Sequence, residues 1–151
     1  MVNVDAAVFA PSRRMGAGVV IRDYNGSFLA ACRETFEEII TPELAEARAV
    51  FYGISFAREE GFSNIVIGSD CLSVIQRLNS PVMDRSSLGP VIEDIKRLAV
   101  SLSSCEFRHV GRTSNEAAHL LARSCTSLPS MVWRGVSPDL IRQTICNDIM
   151  I

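Results

Sequence analysis

The sequence predicts an α/β fold in which helices cover a mixed sheet of five strands. Three segments near the start of the chain are predicted strands: the first alternates apolar and polar residues, and Asn25-Gly26 is a hairpin signal between the second and the third. Each of two later strand-like segments follows a helical pattern, so both can run parallel to the first strand. The 151 residues suit one domain with a single core.

Helical patterns separate the later strands and end the chain. Thr41-Pro42-Glu43 starts the first helix with a capping hydroxyl, a proline in the first turn and an early acid. The predicted strands are residues 2–9, 16–23, 27–34, 64–68 and 105–110. The predicted helices are residues 41–60, 71–78, 88–102, 114–124 and 137–149.

The composition excludes several classes of protein. Hydrophobic residues make up 48% and charged residues 21%, so the chain does not resemble a disordered tail. No apolar run reaches the ~18 residues of a membrane span. The five cysteines stand far apart and form no CxxC pair, which argues against a zinc knuckle or a disulfide framework and predicts a reducing compartment, the cytosol or the nucleus. A net charge of −2 gives no global basic field for nucleic acid.

Three acidic residues stand in apolar surroundings, and each could have a purely structural role. Asp5 lies within an apolar strand, where it could be an edge or strand-end acid that faces water. Glu46 lies on an apolar helix stripe, where it could pair with an arginine, and Glu43 is a weaker candidate for the same role. Asp70 ends a buried strand and could cap the next helix.

Taken together, the three residues predict one site. Asp5 is in the first strand, Asp70 ends a strand that can lie beside it, and Glu46 comes from the helix that connects them. Three carboxylates at neighbouring strand ends repel one another unless divalent cations lie between them. Ligation by oxygen alone favours magnesium or manganese over zinc, and two such ions about 4 Å apart are the usual means of phosphodiester hydrolysis.

Five segments, found in this order, make the sequence similar to the ribonuclease H family: NVDAA, GAGVVIRDYNGSFLAA, AEARAVFYGI, IVIGSDCLSVI and FRHVGRTSNEAAHLLAR. The sequence resembles in particular a plant group of retrotransposon-derived ribonuclease H-like domains. The resemblance implies a sheet of order 3-2-1-4-5 and two-metal hydrolysis of RNA in RNA–DNA hybrids, with Asp5, Glu46 and Asp70 as three of four acidic ligands. We assign residues 1–128 to a ribonuclease H-like domain and 129–151 to a helical tail packed on it.

The sequence departs from the family pattern in four places. The fourth acidic ligand falls on His119, which is either a metal ligand or substrate contact, or a helix-face histidine hydrogen-bonded to a neighbour. The loss of this negative charge is expected to weaken the binding of one of the two metal ions. Ala6 replaces a glycine, and the loop that carries the family's mobile catalytic histidine is shortened, so His109 is assigned no proton-transfer role. The family's basic protrusion is absent, and residues 79–87 take its place.

Few residues are candidates for contacts with nucleic acid. Arg13, Arg14 and Arg112 can meet phosphates, although loop arginines are often only solvated. Asn115, at the start of the last helix of the domain, either caps that helix or contacts the RNA strand. Trp133 either anchors the tail or stacks on a base, and the anchor is the favoured interpretation.

Two functions from different classes are consistent with these observations. The first is a metal-dependent endoribonuclease that acts on RNA–DNA hybrids and is impaired by His119; the second is an inactive module that binds nucleic acid or a protein. The three retained carboxylates favour the enzyme, and a small-molecule binder is disfavoured because no Gly-rich phosphate loop is present. We expect a monomeric domain with nucleic acid as its partner, excised from a longer chain because a central strand begins at residue 2.

Overall fold

The computed structural model describes residues 1–37 and 41–149. Within these ranges the strands are β1 (Val2–Phe9), β2 (Arg14–Arg22), β3 (Phe28–Glu37), β4 (Asn64–Ser69), β5 (Ser104–His109) and β6 (Met131–Arg134). The helices are α1 (Pro42–Glu59), α2 (Leu72–Asn79), α3 (Gly89–Val100), α4 (Glu116–Ser124) and α5 (Asp139–Ile149), and a short 3-10 turn, Arg112–Asn115, leads into α4. None of these helices has the length and apolar character needed to cross a membrane.

The described strands form one mixed sheet of order β5-β4-β1-β2-β3-β6. β1, β2 and β3 are antiparallel neighbours, whereas β4 runs parallel to β1 and β5 runs parallel to β4. This confirms the predicted mixed sheet and the order of its first five strands. The predicted number of strands was wrong by one, because β6 adds to the edge of β3.

β6 was not predicted because its four residues are too few to show an alternating pattern. β6 pairs with β3 in the antiparallel direction, and Ala31 lies opposite Trp133. The guanidinium of Arg33 lies 5.1 Å from the centre of the Trp133 ring. Nε of Arg33 donates a 2.7 Å hydrogen bond to the carbonyl of Pro129. Arg33 is itself buried, so Trp133 packs on the sheet at this point rather than standing out as a platform for a base.

Two local predictions are confirmed by hydrogen bonds. In the turn after β2, the Asp23 carboxylate accepts hydrogen bonds from the backbone N–H groups of Asn25 and Ser27, each of 2.9 Å. At the start of α1, the Thr41 hydroxyl accepts a 3.3 Å hydrogen bond from the N–H of Leu44, as an N-cap does. These contacts fix where the chain enters β3 and α1.

Helices cover both faces of the sheet, and glycines allow the closest approaches. α1, α2 and α3 pack on one face, and α4 and α5 pack on the other. A Cβ atom on Gly53 of α1 would lie 2.4 Å from Cγ1 of Val4. A Cβ on Gly18 of β2 would lie 2.2 Å from the carbonyl oxygen of Ala118 in α4. Since only glycine leaves this space, α4 lies directly on β2, and the side chain of His119 comes within reach of β1.

Candidate active site

The site lies where β1 and β4 part. The two strands pair through only two residues of each, and the last pair is Asn3 with Gly68. Beyond that pair β1 carries Asp5, and Asp70 follows the end of β4. α1, which packs on both strands, supplies Glu46 to the same opening. A crevice at the carboxyl end of a strand, where neighbouring connections diverge, is a common place for a site in α/β sheets.

Asp5, Glu46 and Asp70 form one cluster at this opening, as their order in the chain predicts. Each offers one carboxylate oxygen, and these oxygens all lie within 4.8 Å of one another. Asp5 is 3% exposed, so it is not an acid that faces water. Oε2 of Glu46 and Oδ2 of Asp70 are buried without a hydrogen-bond partner among the described residues.

Helix capping does not account for Asp70, and pairing with an arginine does not account for the buried oxygen of Glu46. Asp70 is not the cap of α2, because Cys71 occupies the cap position and no side-chain cap bond forms there. The buried Oε2 of Glu46 has no partner among the described residues, so no arginine neutralises it at that atom. Glu43 lies outside the cluster and accepts a hydrogen bond from the hydroxyl of Ser73. Glu46 is therefore the acid that α1 contributes.

Burial and mutual repulsion make the cluster unfavourable without a cation. Burial, together with the charges of Asp5 and Asp70, raises the pKa of Glu46 to about 10. The pKa of Asp70 is also raised, first by burial and then by Asp5, while Arg112 and His119 oppose the rise. A divalent ion offers these oxygens the partner that they lack, and hard carboxylate oxygens suit magnesium and manganese. The donor set therefore fits such an ion.

His119 is bound to the first carboxylate rather than standing free as a fourth ligand. Its Nδ1 lies 2.8 Å from Oδ2 of Asp5, and the two side chains are 17% and 4% exposed. Because an ionised carboxylate only accepts hydrogen bonds, we assign the hydrogen to Nδ1, which donates it. This contact agrees with the interpretation of His119 as a helix-face histidine hydrogen-bonded to a neighbour, which is Asp5; its role as a metal ligand or substrate contact stays a prediction.

Arg112 closes the outer side of the cluster. Its Nη2 lies 3.1 Å from Nε2 and 3.3 Å from Nδ1 of His119. Because Nη2 is almost equally far from both ring nitrogens, it does not lie along the lone pair of either one. The guanidinium instead packs against the imidazole ring as a whole. Nε of Arg112 lies 3.8 Å from Oδ2 of Asp70, and the arginine side chain is 66% exposed. The sequence indicated Arg112 as a phosphate contact but did not indicate this position between His119 and Asp70.

Asn115 occupies the N-cap position of α4, as one of its two interpretations expects, but its side chain makes no cap hydrogen bond. It is 1% exposed, which does not suit a contact with RNA. Its Nδ2 donates a 2.8 Å hydrogen bond to the carbonyl of Val4, and its Oδ1 accepts a 3.0 Å bond from Nδ2 of Asn3. Nη2 of Arg22 donates a 3.1 Å bond to Oδ1 of Asn3. This network ties the turn before α4 to β1. The only signal for Asn3 in the sequence was a polar residue in an otherwise apolar strand.

Arg13 and Arg14 are not brought to the cluster. Both lie at the connection of β1 and β2, where Arg14 pairs with Phe9, whereas Asp5 pairs with Gly18 further along the ladder. Arg13 is exposed, and its contact with a phosphate stays a prediction. Nε of Arg14 is buried without a hydrogen-bond partner among the described residues.

The model of a family described as reverse transcriptase-like matches residues 3–125. The chain belongs to the reverse transcriptase-like family. The match spans the elements from β1 to α4, and so takes in Asp5, Glu46, Asp70 and His119. β6 and α5 of this reverse transcriptase-like domain lie outside the matched range. No curated protein matches the chain.

Solved ribonuclease H structures share the fold of this reverse transcriptase-like domain. Ribonuclease H1 from the halophilic archaeon Halobacterium salinarum NRC-1 is 22% identical with a TM-score of 0.72, over 83% of this chain and 95% of that one. The N-terminal ribonuclease H domain of a Mycobacterium tuberculosis protein is 20% identical with a TM-score of 0.70, over 82% and 91%. LC11-RNase H1, isolated from compost and solved in complex with an RNA/DNA hybrid, is 18% identical with a TM-score of 0.71, over 82% and 93%. This likeness establishes the ribonuclease H-like fold, and the plant, retrotransposon-derived origin stays a prediction.

Proposed function

We propose that this domain is a ribonuclease H-type endoribonuclease that hydrolyses RNA in RNA–DNA hybrids with magnesium or manganese, at a rate that His119 lowers. The observation that carries the proposal is the cluster of Asp5, Glu46 and Asp70, whose ligand oxygens all lie within 4.8 Å of one another. The fold supports it, since ribonuclease H1 structures share that fold and one of them holds an RNA/DNA hybrid.

The residues of the cluster would hold the metal and place the substrate. The chemistry that divalent ions supply at such a cluster is polarisation of the scissile phosphate and activation of water. Asp5 offers an oxygen from within β1, Asp70 offers one from just beyond the end of β4, and Glu46 offers one from α1. His119 orients Asp5 through its 2.8 Å hydrogen bond. Arg112, largely exposed beside them, is placed to meet a phosphate of the substrate.

The histidine at the fourth ligand position is the reason to expect slow hydrolysis in magnesium. His119 brings neither a negative charge nor an oxygen, and its Nδ1 is engaged with Asp5. Magnesium demands oxygen ligands in near-octahedral geometry, whereas manganese accepts nitrogen more readily. We therefore expect more activity with manganese than with magnesium.

Binding of the hybrid is expected to be modest and strongly dependent on salt. A net charge of −2 and the absence of a basic segment in residues 79–87 leave few arginines to neutralise phosphates. Recognition would then use the phosphates and the 2′-hydroxyl groups of the shallow groove rather than base edges. We propose that the domain acts as a monomer in the cytosol or nucleus; its five cysteines are free, as suits a reducing compartment.

An inactive module that binds nucleic acid or a protein is the second candidate. The observation that favours it is that the site contains basic side chains. His119 is hydrogen-bonded to Asp5, and Arg112 lies 3.8 Å from Asp70. Both contacts reduce the negative charge available to metal ions, and loss of the second ion would leave a fold that binds without hydrolysing.

Cleavage of a labelled RNA–DNA hybrid, measured in magnesium and separately in manganese, distinguishes the two candidates. For the enzyme we expect more product in manganese than in magnesium, and none in EDTA or with Asp70→Asn. Glu106→Gln is a matched control, because Glu106 is an acid 61% exposed outside the cluster and its loss should leave the rate unchanged. Binding of the hybrid without cleavage in either metal would establish the module and overturn the enzyme.

A further inference from the structure

The cluster contains a positive charge as well as negative ones. Asp5, Glu46 and Asp70, whose ligand oxygens lie within 4.8 Å of one another, contribute three negative charges when all three bind as carboxylates. His119 in its neutral form contributes none. Arg112 is always protonated and contributes one positive charge. Compared with a site of four carboxylates, this site is more positive by two charges: one because an acid is missing and one because an arginine is added.

We propose that Arg112 is a built-in counter-cation that takes the place of a second divalent ion, so that the protein without nucleic acid binds one divalent ion. The inference rests on the proposed metal site and specifies its stoichiometry. One divalent ion brings the charges of the three carboxylates and Arg112 to zero. Two would leave an excess of two positive charges on side chains that are largely buried, which is unfavourable.

The contacts of Arg112 distinguish it from an ordinary surface arginine. One end of its guanidinium lies 3.1 Å from the imidazole of His119, and Nε faces Oδ2 of Asp70. The turn that carries it is fixed to β1 by the buried side chain of Asn115. The acid that each arginine faces makes the difference: Asp70 is 14% exposed, whereas Glu106, the partner of Arg108, is 61% exposed and screened by water.

The same contacts determine which side of the cluster is open to a metal ion. The buried oxygens without a hydrogen-bond partner belong to Glu46 and Asp70, and the Asp70 oxygen is the one that Nε of Arg112 faces at 3.8 Å, so Arg112 opposes an ion there by its charge but does not occupy the oxygen. Oδ2 of Asp5 is instead taken by His119, against which Arg112 lies. An ion held between Asp5 and α4 would have to displace both the hydrogen bond of His119 and the guanidinium of Arg112. The single ion is thus expected to bind the oxygens of Glu46 and Asp70.

Titration of the intact protein with Mn²⁺, with free ion followed by electron paramagnetic resonance, counts the bound ions without any need for activity. We expect wild type to bind one Mn²⁺ per chain. Arg112→Gln removes the competing charge and should bind its first ion about tenfold more tightly. The double variant Arg112→Gln with His119→Asp should bind two ions. Arg108→Gln, the matched control, should bind one ion with the wild-type Kd.

The outcomes separate this inference from the function on which it rests. Two Mn²⁺ ions bound by wild type, or an unchanged Kd in Arg112→Gln, would overturn the counter-cation and leave the metal site in place. No binding by wild type would overturn both. The side chain of Arg112 is 66% exposed, so its removal does not endanger the fold, and the ion count of wild type is a test by itself.

Discussion

The two halves of the carboxylate cluster differ in what surrounds their oxygens. On the α1 side, Glu46 and Asp70 each bury an oxygen that has no hydrogen-bond partner in the described part of the chain. On the α4 side, His119 lies 2.8 Å from Asp5, and Arg112 lies against His119. A cluster that looks uniform in the sequence is therefore divided into an α1 half, whose two buried oxygens lack a hydrogen-bond partner, and an α4 half, in which Asp5 is hydrogen-bonded to His119. Arg112 lies at the boundary of the two halves, because its Nε is 3.8 Å from Oδ2 of Asp70.

Glu46→Gln removes a carboxylate from the α1 half of the cluster and should have the largest effect on the rate. We expect hydrolysis of the hybrid in manganese to fall at least about a hundredfold, because even changes behind the ligands cost about 10- to 100-fold. Without metal the variant should melt at a higher temperature than wild type, because the buried Glu46 has to take up a proton on folding at neutral pH, whereas glutamine is already neutral. Rates and melting curves in EDTA check both effects. Glu43→Gln, on the same helix, is the control, and a wild-type rate in Glu46→Gln would show that this acid is not a ligand.

Asn115→Ala should weaken the attachment of the α4 half to β1. The change leaves the carbonyl of Val4 buried without its partner and leaves the amide of Asn3 only a 3.5 Å hydrogen bond to the carbonyl of Ser114, which together cost about 1–3 kcal/mol. Urea unfolding measures the loss. Asn64→Ala is the matched control, because Asn64 is exposed and accepts one hydrogen bond from Ser104, so its loss should cost less than about 1 kcal/mol. Equal stability of the two variants would mean that the buried network does not hold the turn.

His119→Asp makes the two halves more alike and should raise the rate in magnesium at least about tenfold, or about 1.4 kcal/mol of barrier. The reason is that it adds an oxygen ligand and removes the donor that engages Asp5. The gain in manganese should be smaller, because manganese tolerates nitrogen better. His109→Asp is the comparison variant: it introduces an acid at the exposed end of β5 and tests whether any added acid is enough to raise the rate. If wild type already hydrolyses the hybrid rapidly in magnesium and His119→Asp changes nothing, His119 has no part in the reaction.

The pH dependence of stability isolates the α1 half. In the metal-free folded protein the pKa of Glu46 is about 10, against an ordinary value of 4.5, so the folded state holds a proton that the unfolded state releases between these pH values. Its contribution to stability is complete below pH 4.5 and is lost as the pH rises towards 10. The slope is at most about 1.4 kcal/mol per pH unit. Urea unfolding at pH 6, 7 and 8 in EDTA should show this decline, and Glu46→Gln should reduce it. A wild-type stability that rises over this range would contradict the assignment.

The position of the three acids could be predicted because chain order determines it. Asp5 and Asp70 stand at neighbouring parallel strands, and the helix between those strands carries Glu46. The contacts of Arg112 and Asn115 could not be predicted in the same way. The bond from Asn115 to β1 joins residues 111 positions apart, and it depends on how closely α4 lies on β2. The local sequence pattern does not indicate how closely two elements pack. It also does not indicate whether a short segment, such as the four residues of β6, will pair with a free strand edge.

β6 has a consequence for the behaviour of the protein in concentrated solution. It covers Ala30–Arg33 of β3, whose backbone N–H and C=O groups would otherwise be open to a strand of another molecule. At the opposite edge, β5 presents Glu106 and Arg108, exposed charges that a further strand would have to desolvate. Both edges of the sheet are thus protected against aggregation, one by a short strand and one by charge. A fragment that stopped at residue 125, where the family match ends, would keep every acid of the cluster and lose the protection of β3.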